Sequence, residues 1–431
     1  MEKILNEALF KGAKGAEVYR ERGEITTVNF QSNRLKSIDT SFQEGTGLRI
    51  IKDGKIGFSS TTNLNDFTSL VKSAFVSAQF GQKALFQFPS PNKINPVNCF
   101  DSQVPLLKIE DMIEEGEKSI ELILKEAPYF ECEVEVEKGV SEVAILNSQG
   151  LKYSYRKSFY AFSIYAFLAK EKNFLEIEEG EANCQYHPYS DSLAEKIIQQ
   201  AQLSKKLAKI SPGTYPVIFT SKAMPIIFQA LKRGINGKMV QKKVSPLLSK
   251  IGKPIVSSSI NITDDATLPY GISSSPIDAE GIPSHSTPIV REGVLKNFIY
   301  DLQTAAILKA KSTANGSRGY DSLPSPSTTN FLVDEGKMSL EDMIADIKEG
   351  IIVDQTIGSG QGNVLMGEFS VNLDLGYKIE NGKIVGRVKD IMVSGNSYDL
   401  LNRVVGIGKT SRFVGSTKTP PFYFSQISVS G

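Results

Sequence analysis

Two-residue turns that end in glycine are the feature that most restricts the fold of this sequence. Asp53-Gly54, Glu292-Gly293 and Asn381-Gly382 each separate two runs of strand-forming residues. Such pairs are typical of tight hairpins, because glycine takes the positive φ that these turns require. Hairpins connect neighbouring antiparallel strands, so we expect sheets that are mainly antiparallel.

Residue periodicity predicts where the strands and helices lie. Cys132, Val134 and Val136 alternate with four glutamates, which predicts a strand with one buried and one wet face, within a meander over residues 130–169. Apolar spacings of three and four predict helices at the start of the chain and at residues 66–80, 109–127, 191–208 and from 221. Helices and strands come in runs without βαβ alternation, which indicates an α+β fold.

We expect two domains, each mixing antiparallel sheet with a few helices. The chain has 431 residues, and Ser211-Pro212-Gly213 interrupts the pattern near its middle. The predicted division is an α+β domain over 1–210 and a mostly β domain over 211–431, with one main helix near 221–235. Ser221 is the predicted N-cap of that helix. Its predicted buried stripe is Ala223, Ile226, Ile227, Ala230, Leu231 and Gly234.

Composition excludes several classes of protein. The 49 basic and 48 acidic residues nearly cancel, whereas a dedicated nucleic-acid-binding protein usually has a basic surplus. The sequence has two His and three Cys and lacks a local two-histidine motif, so it shows no obvious zinc hydrolase site. Cys184 and His187 have a spacing that could hold a metal or form a nucleophile pair. A buried thiol beside an exposed imidazole explains them as well.

The same sequence predicts a cytoplasmic protein with no membrane segment. Glu2 stands where a signal peptide would be basic, and residues 159–169, the longest apolar run, are too short to cross a bilayer as a helix. Three widely spaced cysteines suit a reducing compartment better than a disulfide framework.

Two further motifs have competing interpretations. Residues 358–362 read GSGQG but lack the strand–loop–helix context of a nucleotide site, so we expect a tight loop at a strand end. Asp264, Asp265, Asp278 and Glu280 could bind a cation or raise one another's pKa, or could serve as turn residues. The sequence has no G-x-S-x-G elbow and no other defensible catalytic triad.

Several segments together resemble the TldD/PmbA family. DAEG at 278–281, EGVLKNF at 292–298 and Asp301 with Thr304-Ala305 are similar to its signature block. The resemblance continues in KSTANG at 311–316, ENGKI at 380–384, VSGN at 393–396, Gly415-Ser416 with Thr419-Pro420 and, near the start, GTGLR at 45–49 and KDGKIG at 52–57. These proteins were once labelled modulators of DNA gyrase and are regarded as metalloprotease components.

The family resemblance implies two kinds of member. The TldD kind carries H-E-x-x-x-H on the first helix of its second domain and a later Cys as a further metal ligand. The corresponding segment here, residues 221–230, reads SKAMPIIFQA, and no Cys follows Cys184. The chain therefore resembles the PmbA (TldE) kind. The resemblance implies no metal in this chain, zinc in a TldD-type partner subunit, and little activity of the chain alone.

Our leading hypothesis is a non-metal subunit of a TldD/PmbA-type complex that degrades or processes unfolded peptides. We expect the peptide or the partner to bind around Asp264, Asp265, Asp278, Glu280 and His285. One alternative is a regulatory protein that modulates DNA gyrase or another partner through protein contacts. The other is an autonomous peptidase whose carboxylates hold Mg, Ca or Mn. A homodimer and a heteromer both remain open.

Overall fold

The fold is described from a computed structural model, which covers residues 1–63, 65–170 and 173–431. A 3-10 turn covers Val364–Met366. The helices are α1 (Glu2–Phe10), α2 (Phe67–Ala78), α3 (Gln103–Leu106), α4 (Ile109–Glu126), α5 (Ser190–Leu203), α6 (Met224–Gly234), α7 (Gly237–Gln241), α8 (Leu302–Leu308), α9 (Leu340–Ala345) and α10 (Ser397–Asn402).

The strands occupy both halves of the chain and give an α+β fold. Those of the first half are β1 (Gly15–Gln31), β2 (Arg34–Lys52), β3 (Lys55–Thr61), β4 (Glu131–Asn147), β5 (Lys152–Lys170) and β6 (Asn173–Asn183). Those of the second half are β7 (Gly213–Phe219), β8 (Ile262–Asp265), β9 (Ser286–Arg291), β10 (Val294–Leu295), β11 (Gly316–Ser317), β12 (Ser325–Pro326), β13 (Phe331–Val333), β14 (Glu349–Gln361), β15 (Glu368–Glu380), β16 (Lys383–Arg387), β17 (Met392–Asn396), β18 (Val404–Ile407), β19 (Arg412–Val414), β20 (Thr417–Thr419) and β21 (Phe422–Ser430).

The first half is one long antiparallel sheet with helices at both ends of one face. Its strand order is β3-β2-β1-β4-β5-β6. At one end α1 and α2 pack on Val18, Leu48 and Ile50. At the other end α4 and α5 cover the apolar residues that alternate along β1 and β4, including Val28 and Val134. The alternating apolar pattern therefore gives this sheet its buried face.

The second half contains two main sheets that share a core with α6. One has the order β10-β9-β8-β13-β20-β19. The other has the order β14-β7-β21-β17-β15-β16, and β14 also pairs with β15, so this sheet closes on itself. Phe228 of α6 packs between the sheets, with its ring 5.6 Å from that of Phe331 and 5.7 Å from that of Phe422.

The glycine turns form as the sequence predicts. Asp53 and Gly54 have φ angles of 49° and 74° and connect β2 to β3. The Glu292-Gly293 and Asn381-Gly382 turns repeat this geometry. The predicted strand meander over 130–169 is confirmed as β4 and β5, and the helices at the start of the chain and near 66–80 and 109–127 are confirmed as α1, α2 and α4.

Several local predictions were wrong. Ser221 does not cap α6, since the helix begins at Met224 with Ala223 as N-cap and Pro225 in its first turn. Helix α5 ends at Leu203 rather than at 208. The predicted loop at 358–362 lies mostly within β14, which continues to Gln361 because it still pairs with β15 there. Strand β6 was not predicted, because its alternation is masked by many glutamates.

In the described part of the chain, no helix has both the length and the hydropathy needed to cross a membrane.

Candidate functional site

Asp278, one of the predicted site residues, organises a buried turn between β8 and β9. Its carboxylate accepts hydrogen bonds from the backbone N–H groups of Glu280 and Ile282, each at 2.9 Å, and of Gly316 at 3.0 Å. Burial, and then the nearby charge of Glu280, raises the pKa of Asp278. Most of the acceptor capacity of this carboxylate is therefore used by the backbone.

Glu280 lies in the same turn and connects the two halves of the chain. It is completely buried and accepts hydrogen bonds from Arg49 Nη1 at 2.7 Å and from the backbone N–H of Leu302, at the start of α8, at 2.6 Å. Arg49 also donates to Glu17, from Nε at 3.1 Å and from Nη2 at 3.2 Å. Arg318 Nη2 donates to the same Glu17 at 2.6 Å. Two arginines and two glutamates thus form a charge-balanced network between β1, β2 and the second half.

Asp264 occupies a separate polar environment on β8, near the same segment. It accepts hydrogen bonds from Asn315 Nδ2 and the backbone N–H of Thr329, each at 2.7 Å. Burial raises the pKa of Asp264 to about 6, although these hydrogen bonds oppose the increase. Burial lowers the pKa of Lys232, on α6, to about 8, and the charge of Asp264 opposes that decrease. Asp264 therefore has its main partners within the protein.

The remaining two predicted residues lie outside this buried group. Asp265 accepts hydrogen bonds from the backbone N–H and hydroxyl of Thr267 at 2.8 and 2.6 Å, so it closes a turn. His285 is exposed, and its Nδ1 lies 3.3 Å from the carbonyl oxygen of Pro283. The structure thus brings Asp264, Asp278 and Glu280 to the segment at 315–316 but leaves the other two apart.

The residues present do not fit a metal centre. In residues 1–63, 65–170 and 173–431, no group of three or more His, Cys, Asp or Glu side chains could hold a metal ion. The buried carboxylates are paired with backbone N–H groups, amides and arginine, as described above. Cys184 is buried and donates to the carbonyl of Gly271 at 3.3 Å, whereas His187 packs against the ring of Tyr189. The chemistry of this donor set therefore does not support the carboxylate–metal alternative.

Helix α6 lies in the segment where the family resemblance implies metal ligands in the TldD kind. The predicted stripe is confirmed, since its members are all buried, namely Ala223, Ile226, Ile227, Ala230, Leu231 and Gly234. Residues 220–234 contain hydroxyl, amide and cationic side chains but no His, Cys, Asp or Glu. In this chain, α6 is a packing element of the second-half core.

A second polar cluster surrounds Lys222, just before α6. Its ammonium lies 2.7 Å from Asp354 Oδ2 and 3.0 Å from Glu179 Oε1. Arg412 Nη2 contacts the other oxygen of Glu179 at 2.7 Å. Burial opposes ionisation of Glu179, but the charges of Lys222 and Arg412 prevail and lower its pKa to about 2. Glu179 therefore stays ionised, and the cluster connects β6, β14 and β19.

Lys222, Asp354 and Arg412 of this cluster line an open cleft of about 480 Å³ between the two halves. Glu135 and Glu137 of β4 line one wall, and Phe413 and Val414 of β19 line another. The lining has five carboxylate side chains against two cationic ones, so the cleft is acidic. Strand β19 is the outermost strand of its sheet and offers a backbone edge beside the cleft.

The Lys222 cluster beside this cleft was missed in the sequence because its residues come from four distant segments. Glu179, Lys222, Asp354 and Arg412 are isolated charges, and only the fold brings them together. One signal was visible, namely Lys222 directly before an apolar helix. A buried lysine there needs paired carboxylates, although the sequence does not say which.

Comparisons with known proteins agree with the architecture. Residues 16–78, 103–205 and 212–431 match the models of the PmbA/TldA metallopeptidase domain 1, central domain and C-terminal domain. The chain is 27% identical to an uncharacterized protein of Methanocaldococcus jannaschii over 94% of each chain. It is 23% identical to a metalloprotease TldD homolog of Haemophilus influenzae, over 90% of this chain and 84% of that protein.

A solved structure has the same fold. TldE from Thermococcus kodakarensis matches with a TM-score of 0.92 and 22% identity, covering 100% of both chains. The C-terminal family model alone covers half of the sequence, and the three models follow one another in order along the chain. This chain therefore belongs to the PmbA/TldD family.

Proposed function

We propose that this chain is the non-metal subunit of a PmbA/TldD-type peptidase complex. The observation that carries the proposal is helix α6, whose buried stripe packs into the core where the metal-bearing kind would present its ligands. A chain with this helix cannot activate water at that position, so hydrolysis has to come from a partner subunit that carries H-E-x-x-x-H. The partner would hold the zinc.

The acidic cleft is the proposed contribution of this chain to substrate binding. The outer edge of β19 can form backbone hydrogen bonds with an extended peptide, whatever its sequence. Glu135 and Glu137 add negative charge on the opposite wall, which favours peptides with basic side chains. A site that binds the peptide backbone and selects only weakly for basic side chains suits a subunit that binds unfolded peptides. We propose this cleft in place of the predicted surface around Asp264, Asp265, Asp278, Glu280 and His285. Three of those carboxylates, Asp264, Asp278 and Glu280, are buried.

A charge reversal on β4 tests the cleft with a closely matched control. Glu133 and Glu135 are exposed residues on the same face of β4, but only Glu135 lines the cleft. We expect Glu135→Lys to raise the Kd of a fluorescent, lysine-rich unfolded peptide by about 10-fold at low salt, as reversing one charge near a bound cation costs on the order of 1 kcal/mol. Glu133→Lys should change it less than about 2-fold.

The measurement is fluorescence anisotropy on the chain with and without a purified relative that carries H-E-x-x-x-H. Equal changes in the Kd of the two variants would show that the cleft is not the peptide-binding site. Failure of the two proteins to elute together in gel filtration would reject the complex. Recovery of DNA gyrase instead of such a relative, when the chain is used to capture partners from its own cell extract, would favour the regulatory alternative.

A further inference from the structure

Basic residues are concentrated in one stretch of a chain whose total charge is close to zero. Between Glu195 and Asp264 the sequence has eleven lysines and one arginine and no acidic residue. Four of these lysines follow α7 within a short surface segment of the second half. We call this segment, residues 242–254, the lysine ribbon; it reads KKVSPLLSKIGKP. Such charge separation gives the surface a local positive potential although the whole chain is nearly neutral.

Buried residues hold the lysine ribbon against the core. The hydroxyl of Ser245 is buried and donates to the carbonyl of Gly234, at the end of α6, at 2.6 Å. Leu247 belongs to the second-half core. The backbone N–H of Gly252 donates to the carbonyl of Leu295, in β10, at 2.8 Å. The ribbon therefore has a defined position on the surface of the second half.

The exposed side chains of the ribbon are lysines and aliphatic residues. Val244, Leu248 and Ile251 are 48%, 41% and 49% exposed. A turn brings the first two together, since the N–H of Leu248 donates to the carbonyl of Ser245 at 3.2 Å. The exposed lysines beside them are Lys242, Lys243, Lys250 and Lys253. In the described part of the chain, these four lysines form no ion pair.

The composition of the ribbon favours a membrane surface over a protein or a nucleic acid. Protein interfaces are enriched in arginine and aromatic residues and depleted in lysine. Proteins that read or stack on bases also use arginine and aromatic rings. Residues 242–254 contain neither. Lysines with aliphatic side chains between them complement the anionic headgroups of a bilayer and the apolar layer just beneath those headgroups.

We propose that the lysine ribbon binds this chain to the surface of an anionic bilayer. The four ammonium groups lie among the lipid phosphates in this arrangement, and Val244, Leu248 and Ile251 enter the boundary between headgroups and acyl chains. The contact is peripheral, so it needs no membrane-spanning helix. It does not depend on the proposed peptidase function, because none of the ribbon residues lines the acidic cleft.

Sedimentation with vesicles of mixed phosphatidylglycerol and phosphatidylcholine measures the contact. We expect Lys243→Gln combined with Lys250→Gln to lower the partition coefficient by about 25-fold at low salt, since each lysine near an anionic surface contributes roughly 5-fold. The matched control is Lys72→Gln combined with Lys125→Gln, which changes the net charge equally at exposed positions of α2 and α4. Absence of wild-type binding, equal losses in the two double variants, or tighter wild-type binding to double-stranded DNA than to the vesicles would overturn the proposal.

A single tryptophan tests whether the aliphatic side chains enter the bilayer. The sequence has no tryptophan, so a substituted one is the only indole in the chain. We expect the emission of Ile251→Trp to shift to shorter wavelength with the anionic vesicles and to be quenched by lipids with brominated acyl chains. Leu106→Trp, at a position of α3 that is 78% exposed, should show neither change. An unchanged emission of Ile251→Trp would contradict the proposed contact. Circular dichroism verifies that every variant is folded.

Discussion

Buried charge is paired with opposite charge where the two halves meet. Arg49 is 2% exposed and lies between Glu17 and Glu280, which come from the first and second halves. Removing one member of such a group leaves an uncompensated charge away from water, which costs far more than losing an exposed pair. The charges of Glu17 and Glu280 raise the pKa of Arg49 despite its burial, so it stays ionised.

Replacement of Arg49 should therefore destabilise the fold strongly. We expect Arg49→Met to lower the free energy of unfolding by about 3–5 kcal/mol, since Glu280 loses its arginine and Glu17 keeps only Arg318. The matched control is Arg22→Met, which breaks the exposed pair with Glu142 and should cost less than about 1 kcal/mol. Urea denaturation measures both. Similar losses in the two variants would show that the buried network does not stabilise the fold.

Glu179 makes stability depend on pH in a known direction. Its pKa is about 2 in the folded chain, below the ordinary value of 4.5. The folded state therefore binds this proton less readily than the unfolded state does. The ionised Glu179 contributes its full stabilisation of the folded state above pH 4.5, and this contribution is lost as the pH falls towards 2. This pKa shift corresponds to a contribution of about 3 kcal/mol to the free energy of unfolding at neutral pH.

The Glu179→Gln variant tests this direction. At pH 7 its free energy of unfolding should be about 3 kcal/mol lower than that of the wild type. This gap in free energy should narrow as the pH falls from 5 to about 3. The control Glu121→Gln, on the exposed surface of α4, should have the same free energy of unfolding as the wild type at every pH. Urea unfolding over this pH range measures the gap. A gap that is constant with pH would contradict the assigned ionisation.

At the scale of elements, α6 carries the proposal that this chain is the non-metal subunit. The helix is held by aromatic and aliphatic packing, with Phe228 in contact with rings from both second-half sheets. We expect Phe228→Ala to lower the free energy of unfolding by about 3–5 kcal/mol, because it removes a fully buried aromatic side chain. Gln229→Ala, the next residue on the same helix, should cost under about 1 kcal/mol. Small, equal losses would mean that the helix is not part of the core.

Elements with strong local signals could be predicted, whereas the site could not. The glycine turns and the stripe of α6 depend on neighbours in sequence, so their patterns are visible in the chain. Strand β6 was missed because glutamates occupy both of its faces, and some of them are neutralised by Lys222 and Arg412 from the other half. The cleft depends on the same distant pairing. Prediction failed where tertiary contacts, rather than local periodicity, determine the environment of a residue.

At the scale of the molecule, the proposed peptide site lies where the two halves meet. The Arg49 network and the Lys222 cluster both connect the halves, so they fix the walls of the cleft relative to each other. We propose that a metal-bearing partner acts on a peptide held in that cleft.

Reconstitution of peptide cleavage tests the central claim most directly. The chain, a purified relative with H-E-x-x-x-H, and their mixture are each incubated with an unfolded lysine-rich peptide that carries a fluorophore and a quencher. We predict cleavage by the mixture, its loss on adding a chelator, and no cleavage above background by this chain alone. Cleavage by this chain alone at the rate of the mixture, persisting in the chelator, would contradict the account.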